Sequence, residues 1–510
     1  ESRGLGDVYK RQMSAIITEK FRQHNADQFV ESFTEASNST YYLFVGKATA
    51  YTSSTTGGSD STPPAPADAP GDTEFYAWDS MLAAKNVTSG DVTYAIPRRN
   101  WVNGTIYDMY DDDVSSSSTA TSGASNLYDS TFYFMTSDFR VYKVLDNNGG
   151  TAYSGAEPTS TSSSPFELGG YVLKYMYAIT TSEAAKYLTS DFIPVSNDST
   201  ITAAATDGKI ESLKITVGTG YTNGTYFAAI YGDGTSAGTS SGGIVRITVA
   251  SNQIASFGLT AGSDTTIHAG GAGYTFGTVN LASGFTFSDA ALSSASAIGG
   301  SGGVIEVVIS PKNGHGFSSI KELGGHYVMS ATTLTQAEND DITTSNDFRQ
   351  VGLVVDPTTF GTSTVASSTT ARQTYVIKAS SVSGVFEVDE KITQATTGAV
   401  GKVVEYDATL SLLYYQQERF GDFGTNNTTG DHSVFTGTNV ITGATSSATF
   451  TPSGDSETIT LANNNTITTS SGYVNPELQP DSGNIVYLEN RKPIQRDSDQ
   501  TEDIKLIIEF

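Results

Sequence analysis

Two arginines beside a tryptophan, in Ile96-Pro-Arg-Arg-Asn-Trp101, form the densest basic feature of this sequence. Guanidinium forks pair bidentately with carboxylates, and an indole buries a large apolar area. Arg98, Arg99 and Trp101 therefore suit an anchor for a partner's acidic groups. They equally suit an ion pair with the chain's own abundant carboxylates, and both readings stay open. A second polar cluster, Glu489-Asn-Arg-Lys-Pro-Ile494, links two strand patterns near the end. It adds Asn490, Arg491 and Pro493 to the interface or core-contact candidates. The histidines (His24, His268, His315, His326 and His432) are scattered. His315 and His326 share a Gly-rich region, but two ligands do not make a metal centre, and they read as turn histidines. Gly299-Gly-Ser-Gly-Gly303 matches the nucleophile-elbow pattern around Ser301. That pattern needs a strand-to-helix turn, and here it sits in a Ser/Gly-rich connector. The acidic clusters Asp111-Asp-Asp113 and Glu338-Asn-Asp-Asp341 lack the spacing of a calcium loop or of paired glycosidase carboxylates, and read as solvated faces. No Walker loop, HExxH or EF-hand spacing occurs. The expectation is a non-enzyme with no catalytic residue, no metal, no cofactor and no small-molecule substrate.

Composition narrows the function classes further. The chain has 510 residues with 54 acidic and 28 basic side chains, a net charge of −26. Such a chain repels phosphate backbones and anionic lipid surfaces, which argues for no nucleic acid partner and no membrane insertion. Cysteine is absent, which excludes disulfides, thiolate zinc sites and cysteine nucleophiles. No apolar run approaches the ~18 residues of a membrane span, and the start lacks a secretory apolar segment, so a soluble chain is expected. Gly, Ser and Thr abound, yet 27 Tyr and 24 Phe give more apolar area than a disordered chain carries. A folded, β-rich protein fits. Its charge suits a particle component that must stay soluble before it assembles.

Length alone predicts roughly three domains. Residues Glu1–Gln12 read as a non-native leader ahead of a normal start at Met13, with a genuine flexible arm as the other reading. Ile17, Phe21, Phe29 and Phe33 share a helical face, with Thr18 as N-cap. A strand follows at Tyr41–Val45, then a Ser/Gly/Pro-rich loop over 52–71. Trp78, Met81 and Leu82 predict a short helix capped near Asp72, and a third helix covers Ser182–Leu188. Strands are expected at Thr131–Thr136, Arg140–Leu145 and Gly170–Ile179, between low-complexity loops at 115–125 and 159–164. From residue 201 internal repeats appear. Gly218-Thr-Gly-Tyr-Thr222 and Gly271-Ala-Gly-Tyr-Thr275 each follow a short strand pattern, and Gly314-His-Gly-Phe317 reads as a degenerate third copy. Asn223-Gly224 between alternating residues predicts a hairpin. A second pair is cleaner. Phe386, Ile392 and Ala399 recur as Phe435, Ile441 and Ala448 within matching Thr/Gly/Ala runs. Strands close the chain, with Ile504, Leu506, Ile508 and Phe510 on one face.

These segments also carry a resemblance. Ala15-Ile-Ile-Thr-Glu-Lys-Phe-Arg22, Asp79–Leu82, Ala95-Ile-Pro-Arg-Arg-Asn-Trp101, Gly170-Tyr-Val-Leu-Lys-Tyr175 and Asp347-Phe-Arg-Gln350 with Asp356-Pro357 occur in order. The ending, Gly483-Asn-Ile-Val-Tyr-Leu-Glu-Asn-Arg-Lys-Pro-Ile494 with Asp499–Ile504, is the most specific part. The chain resembles the baseplate wedge protein of T-even-like contractile-tailed bacteriophages, the gene-product-eight family. The resemblance implies a non-enzymatic virion protein of the tail baseplate, assembled in the host cytoplasm. It implies a homodimer within each wedge and contacts with other baseplate wedge proteins, and so a part in host attachment and sheath contraction. The expected fold is mainly β: a multi-domain β-sandwich-like core with a few short helices and inserted small β-modules. The resemblance covers 13–200, 311–365 and 471–510 as core. Stretches 201–310 and 366–470 read as inserted β repeat modules, and 471–510 as strands completing the core. A tail-associated adhesin or carbohydrate-binding β protein is the alternative, motivated by Tyr-rich repeats. A β-rich glycan hydrolase is a third class.

Overall fold

The computed structural model describes residues 18–510, apart from 37, 52–56, 68–71, 235–241, 282–297, 336–341, 345, 420–431, 463 and 498–499. The leader at 1–12 and the acidic cluster Glu338–Asp341 therefore lie outside the described residues. The fold is mainly β, with several antiparallel sheets and short helices. Two compact units share the chain. One holds 1–28, 93–329 and 507–510, the other 29–92 and 330–506.

The second unit is built on a five-stranded sheet ordered Thr370–Arg372, Met81–Val87, Tyr41–Gly46, Phe348–Val355, Asn484–Ile494. Every residue of Tyr41–Gly46 is buried, because alternate side chains feed two different cores. Tyr41, Leu43 and Val45 join the largest apolar cluster, while Tyr42 and Phe44 pack with Trp78 and Met81. Glycine is required at position 352, since a Cβ there would lie 2.3 Å from the Phe44 ring. The expected second helix is Asp72–Ser80, and Met81 and Leu82 instead open the next strand. Their apolar side chains fit either period over so short a run.

A seven-stranded sheet over Tyr375–Val474 also belongs to this unit, and in it the cleaner repeat becomes geometry. Lys391–Gln394 forms a hairpin with Ala399–Asp407, and Ile441–Gly443 does the same with Thr449–Pro452. The two copies pair through their first strands, antiparallel, with Thr393 opposite its repeat equivalent Thr442. Phe386, Ile392 and Ala399 and their counterparts Phe435, Ile441 and Ala448 all enter one core cluster.

The first unit contains a four-stranded sheet ordered Tyr133–Met135, Arg140–Asp146, Tyr171–Ala178, Phe166–Leu168. Its tyrosines are buried, and the hydroxyls of Tyr142 and Tyr171 donate to the loop carbonyls of Ser160 at 2.8 Å and Thr151 at 2.7 Å, while loop residue Tyr153 donates to Ala156 at 3.0 Å. The low-complexity loop over 159–164 is thus held to the sheet by a tyrosine, with Lys174 Nζ donating to the Ser163 carbonyl at 3.1 Å. The loop over 115–125 is held by the Asp108 carboxylate, which accepts from Ser122 N and Oγ and from Thr131 N. The third helix runs Thr181–Tyr187 from a Thr180–Glu183 capping box. The first helix spans Glu19–Glu31, and Thr18 Oγ1 accepts from Phe21 N as an N-cap should. Its expected apolar face is not uniformly buried. Phe21 is 53% exposed, and Phe33 packs on Tyr41 from beyond the helix end.

A sheet over Ser212–Val308 completes this unit and corrects one expectation. Asn223-Gly224 does not close a hairpin. Ser212–Tyr221 pairs with Gly299–Val308, whereas Gly224–Gly232 pairs with Ile244–Ala250 and Gly277–Val279. The two-residue hairpin turn lies at Ser251-Asn252, with φ 53° and 63° and Ala250 opposite Gln253. Asn223 caps it, accepting from Asn252 N at 2.8 Å. The Gly-x-Gly-Tyr repeat is real in three dimensions. Both glycines of each copy take positive φ, and each tyrosine is buried with its hydroxyl accepting a glycine N–H at 2.9 Å, Gly303 for Tyr221 and Gly243 for Tyr274. The third copy diverges: Gly314 and Gly316 keep positive φ, but Phe317 is exposed and His315 is the buried ring.

Candidate functional site

The two arginines directly follow strand Val92–Pro97. Arg98 donates from Nε to Asn100 Oδ1 at 2.9 Å and from a guanidinium nitrogen to the Thr189 carbonyl at 2.7 Å. Arg99 lies over the Tyr133 ring at 4.4 Å and donates to the Tyr128 carbonyl at 2.7 Å, with its other terminal nitrogen buried and unpartnered. Trp101 is half-buried, packs edge-on against Tyr153 at 6.0 Å, and has its indole N–H buried without an acceptor. Among the described residues neither guanidinium is paired with a carboxylate. Both use carbonyl oxygens of their own unit, Thr189 in the loop ahead of strand Phe192–Val195 and Tyr128 in the short turn Leu127–Asp129.

The second cluster belongs to the other unit, on strand Asn484–Ile494. Asn490 accepts from Gln350 Nε2 at 2.9 Å and donates to the Pro64 carbonyl at 3.0 Å. Its partner on the neighbouring strand is Gln350, where the register shifts between Phe348 and Gln350. Pro493 stands beside that irregularity, as a residue without an N–H can. Arg491 is exposed, and its ion pair with Glu489 is 3.5 Å long.

The remaining motifs are placed as follows. Ser301 lies within the ten-residue strand Gly299–Val308, opposite Thr219, which is not elbow geometry. Asp111 is buried and paired with Lys214 at 2.8 Å, whereas Asp112, which accepts from Ile309 N at 2.8 Å, and Asp113 are exposed, so only Asp111 departs from the expected solvated face. His315 lies in a turn, as expected, and His326 lies just ahead of strand Tyr327–Thr335; both are buried. His326 Nδ1 is 3.2 Å from Glu19, and its Nε2 is 4.0 Å from Glu509. His315 contacts Lys143 Nζ through Nδ1 at 2.7 Å. Among the described residues no group of three or more histidines and carboxylates is arranged to hold a metal. No described helix is long and apolar enough to cross a membrane. The Lys143–His315–Glu322 cluster has no sequence signal, since Lys143 sits in an ordinary alternating strand.

The last five described strands, from Thr458–Thr460 to Thr501–Glu509, hold the most specific motif and bring Asn490 and Arg491 onto one strand. Residues 457–510 match the Phage-Gp8 family, described as Bacteriophage T4, Gp8. The chain thus resembles the T4 baseplate wedge protein in its C-terminal part, and the match supports a structural role in a phage baseplate wedge. No curated protein matches the chain.

Proposed function

We propose that this protein is a structural component of the baseplate wedge of a contractile phage tail, acting by assembly and not by catalysis. The Phage-Gp8 match over 457–510 carries the reading. In it the chain forms a homodimer within a wedge, contacts other wedge proteins, is built into the virion in the host cytoplasm, and so contributes to host attachment and sheath contraction. The exposed Arg491 and the half-buried Arg98 supply guanidinium groups at the two candidate clusters for a carboxylate-bearing neighbour.

Mass in solution at micromolar concentration tests the reading, for the parent and for Arg98→Ala and Arg491→Ala. The parent should be a dimer, with at least one variant shifted towards monomer or unable to join a wedge. A strictly monomeric parent whose variants assemble normally would remove the interface role.

One observation favours the adhesin reading as second choice. Tyr231 pairs with Thr278, and Phe276 lies two residues before Thr278. Both rings are about half exposed (47% and 56%), as a sugar-stacking platform requires. Host-cell binding by the full chain, competed by free glycan and lost in Tyr231→Ala, would put this reading first.

A further inference from the structure

Deep in the first unit, a lysine, a glutamate and a histidine meet in an arrangement that an ion pair alone does not need. Lys143 comes from strand Arg140–Asp146, and Glu322 ends the short helix Ser319–Glu322. Their side chains are 0% and 3% exposed, and Nζ is in direct contact with Glu322 Oε2. His315 Nδ1 lies 2.7 Å from the same Nζ. The other carboxyl oxygen, Oε1, accepts two backbone N–H groups, from Gly316 at 2.7 Å and Ser318 at 3.2 Å. Tyr110 closes one side, its ring centroid 4.9 Å from Nζ and edge-on to His315 at 4.9 Å. His315 Nε2 is buried with no partner. An amine thus faces a carboxyl whose second oxygen sits between two N–H donors, with an imidazole touching the amine. These are the parts of an acyl-transfer site: nucleophile, electrophile, donors for the developing oxyanion, and a base.

We propose that Lys143 and Glu322 become joined by an isopeptide bond, Nζ to Cδ, with loss of one water. The ion pair first moves one proton from Nζ to Oε2, giving a neutral amine and a neutral acid. Nζ attacks Cδ, and the charge that develops on Oε1 is held by Gly316 N–H and Ser318 N–H. His315 Nδ1 takes the surplus proton from Nζ and returns it to Oε2, the Cδ–Oε2 bond breaks, and water leaves. The N–C bond formed replaces the C–O bond lost, and no oxidant or co-reactant is needed. Burial favours the free amine and the neutral imidazole. It lowers the Lys143 ammonium below its ordinary range and holds His315 neutral, so a lone pair is available on each. It also excludes the water that would reverse the condensation. The two residues are 179 apart in sequence and meet only in the folded chain, so the bond follows folding. Once made, it closes a covalent loop around the whole Ser212–Val308 sheet, a constraint that denaturation does not release.

Mass spectrometry of the full chain under denaturing conditions tests this without any variant. Trypsin cannot cut after an acylated lysine, so peptide Val141–Lys174 should appear joined to Glu322–Arg349, lighter than their sum by one water. Recovery of Val141–Lys143 and Glu322–Arg349 only as separate peptides at their sequence masses would overturn the proposal and leave a plain ion pair. Lys143→Arg should abolish the joined peptide; its persistence would place the link elsewhere and overturn the assignment. His315→Gln should leave a large unjoined fraction in folded protein, and complete joining in that variant would remove His315 as the base.

Discussion

Arg99 and Arg491 show how the same residue type carries different consequences in different surroundings. Arg99 holds a carbonyl and an aromatic face inside its unit, so Arg99→Ala loses a hydrogen bond and a cation–π contact, ~2–3 kcal/mol together. Arg491 is exposed, and its pair with Glu489 is worth under ~1 kcal/mol, so Arg491→Ala should melt like the parent. Parallel thermal melts check both, and a variant order opposite to this would refute the assignment of Arg99 to the core. Asp146 makes a pH prediction. Burial pushes its carboxyl up to about 6, against which the Asn148 N–H at 2.9 Å acts only in part. The folded state then binds more protons than the unfolded one between about pH 4 and 6, so this group's contribution weakens as pH rises through that window. Asp146→Asn, which keeps the acceptor for Asn148, should therefore exceed the parent's stability at pH 7 by ~1–3 kcal/mol. The gap should close near pH 4. Melts across that range would show it, and a variant less stable at pH 7 would contradict it.

The repeated elements give a matched pair of predictions. Tyr221 and Tyr274 stand at equivalent places, and each hydroxyl accepts one glycine N–H in a buried setting. Tyr221→Phe and Tyr274→Phe should each strand that donor and cost ~1–2 kcal/mol. Tyr274 also donates to the Ile230 carbonyl at 3.1 Å, so its variant should fall at the larger end. Hydrogen exchange at Gly303 and Gly243 gives the direct readout: each amide should speed up only in its own variant. At this scale the sequence was legible where the signal was local. The helix expected over Ser182–Leu188 forms at Thr181–Tyr187, and paired glycines ahead of a tyrosine mark a turn. Asn223-Gly224 misled because a turn dipeptide specifies a bend but not which strands flank it as partners. The β-sheet over Ser212–Val308 gave those strands other neighbours and placed the tight turn at Ser251-Asn252.

For the whole molecule, the two repeat-bearing stretches are not equal in what they bury. We propose both as insertions, and excision separates their roles. Removing 201–310 uncovers Leu145 and Val172, which pack in the cluster of that sheet, and takes away Glu211, the partner of Lys174. Removing 366–470 takes Val376, Val404, Leu412 and Ile467 from the largest core cluster and an edge strand from the five-stranded sheet. Each buried aliphatic side chain is worth ~1.5–3 kcal/mol, so the second excision should lower the melt far more than the first. Equal melts for the two shortened chains would contradict this. What the sequence by itself determined was the class of molecule: mainly β, acidic, cysteine-free, with its repeats and a C-terminal motif that matches Phage-Gp8. Those properties are written in composition, period-two alternation and short turn signals, which act over a few residues. Only the tertiary structure decided that Thr393 pairs with Thr442, that Arg99 faces inward, and that Lys143 meets Glu322 beside His315. Such contacts join residues tens to hundreds of positions apart. They are set by which apolar faces close on one another, a choice no local pattern encodes.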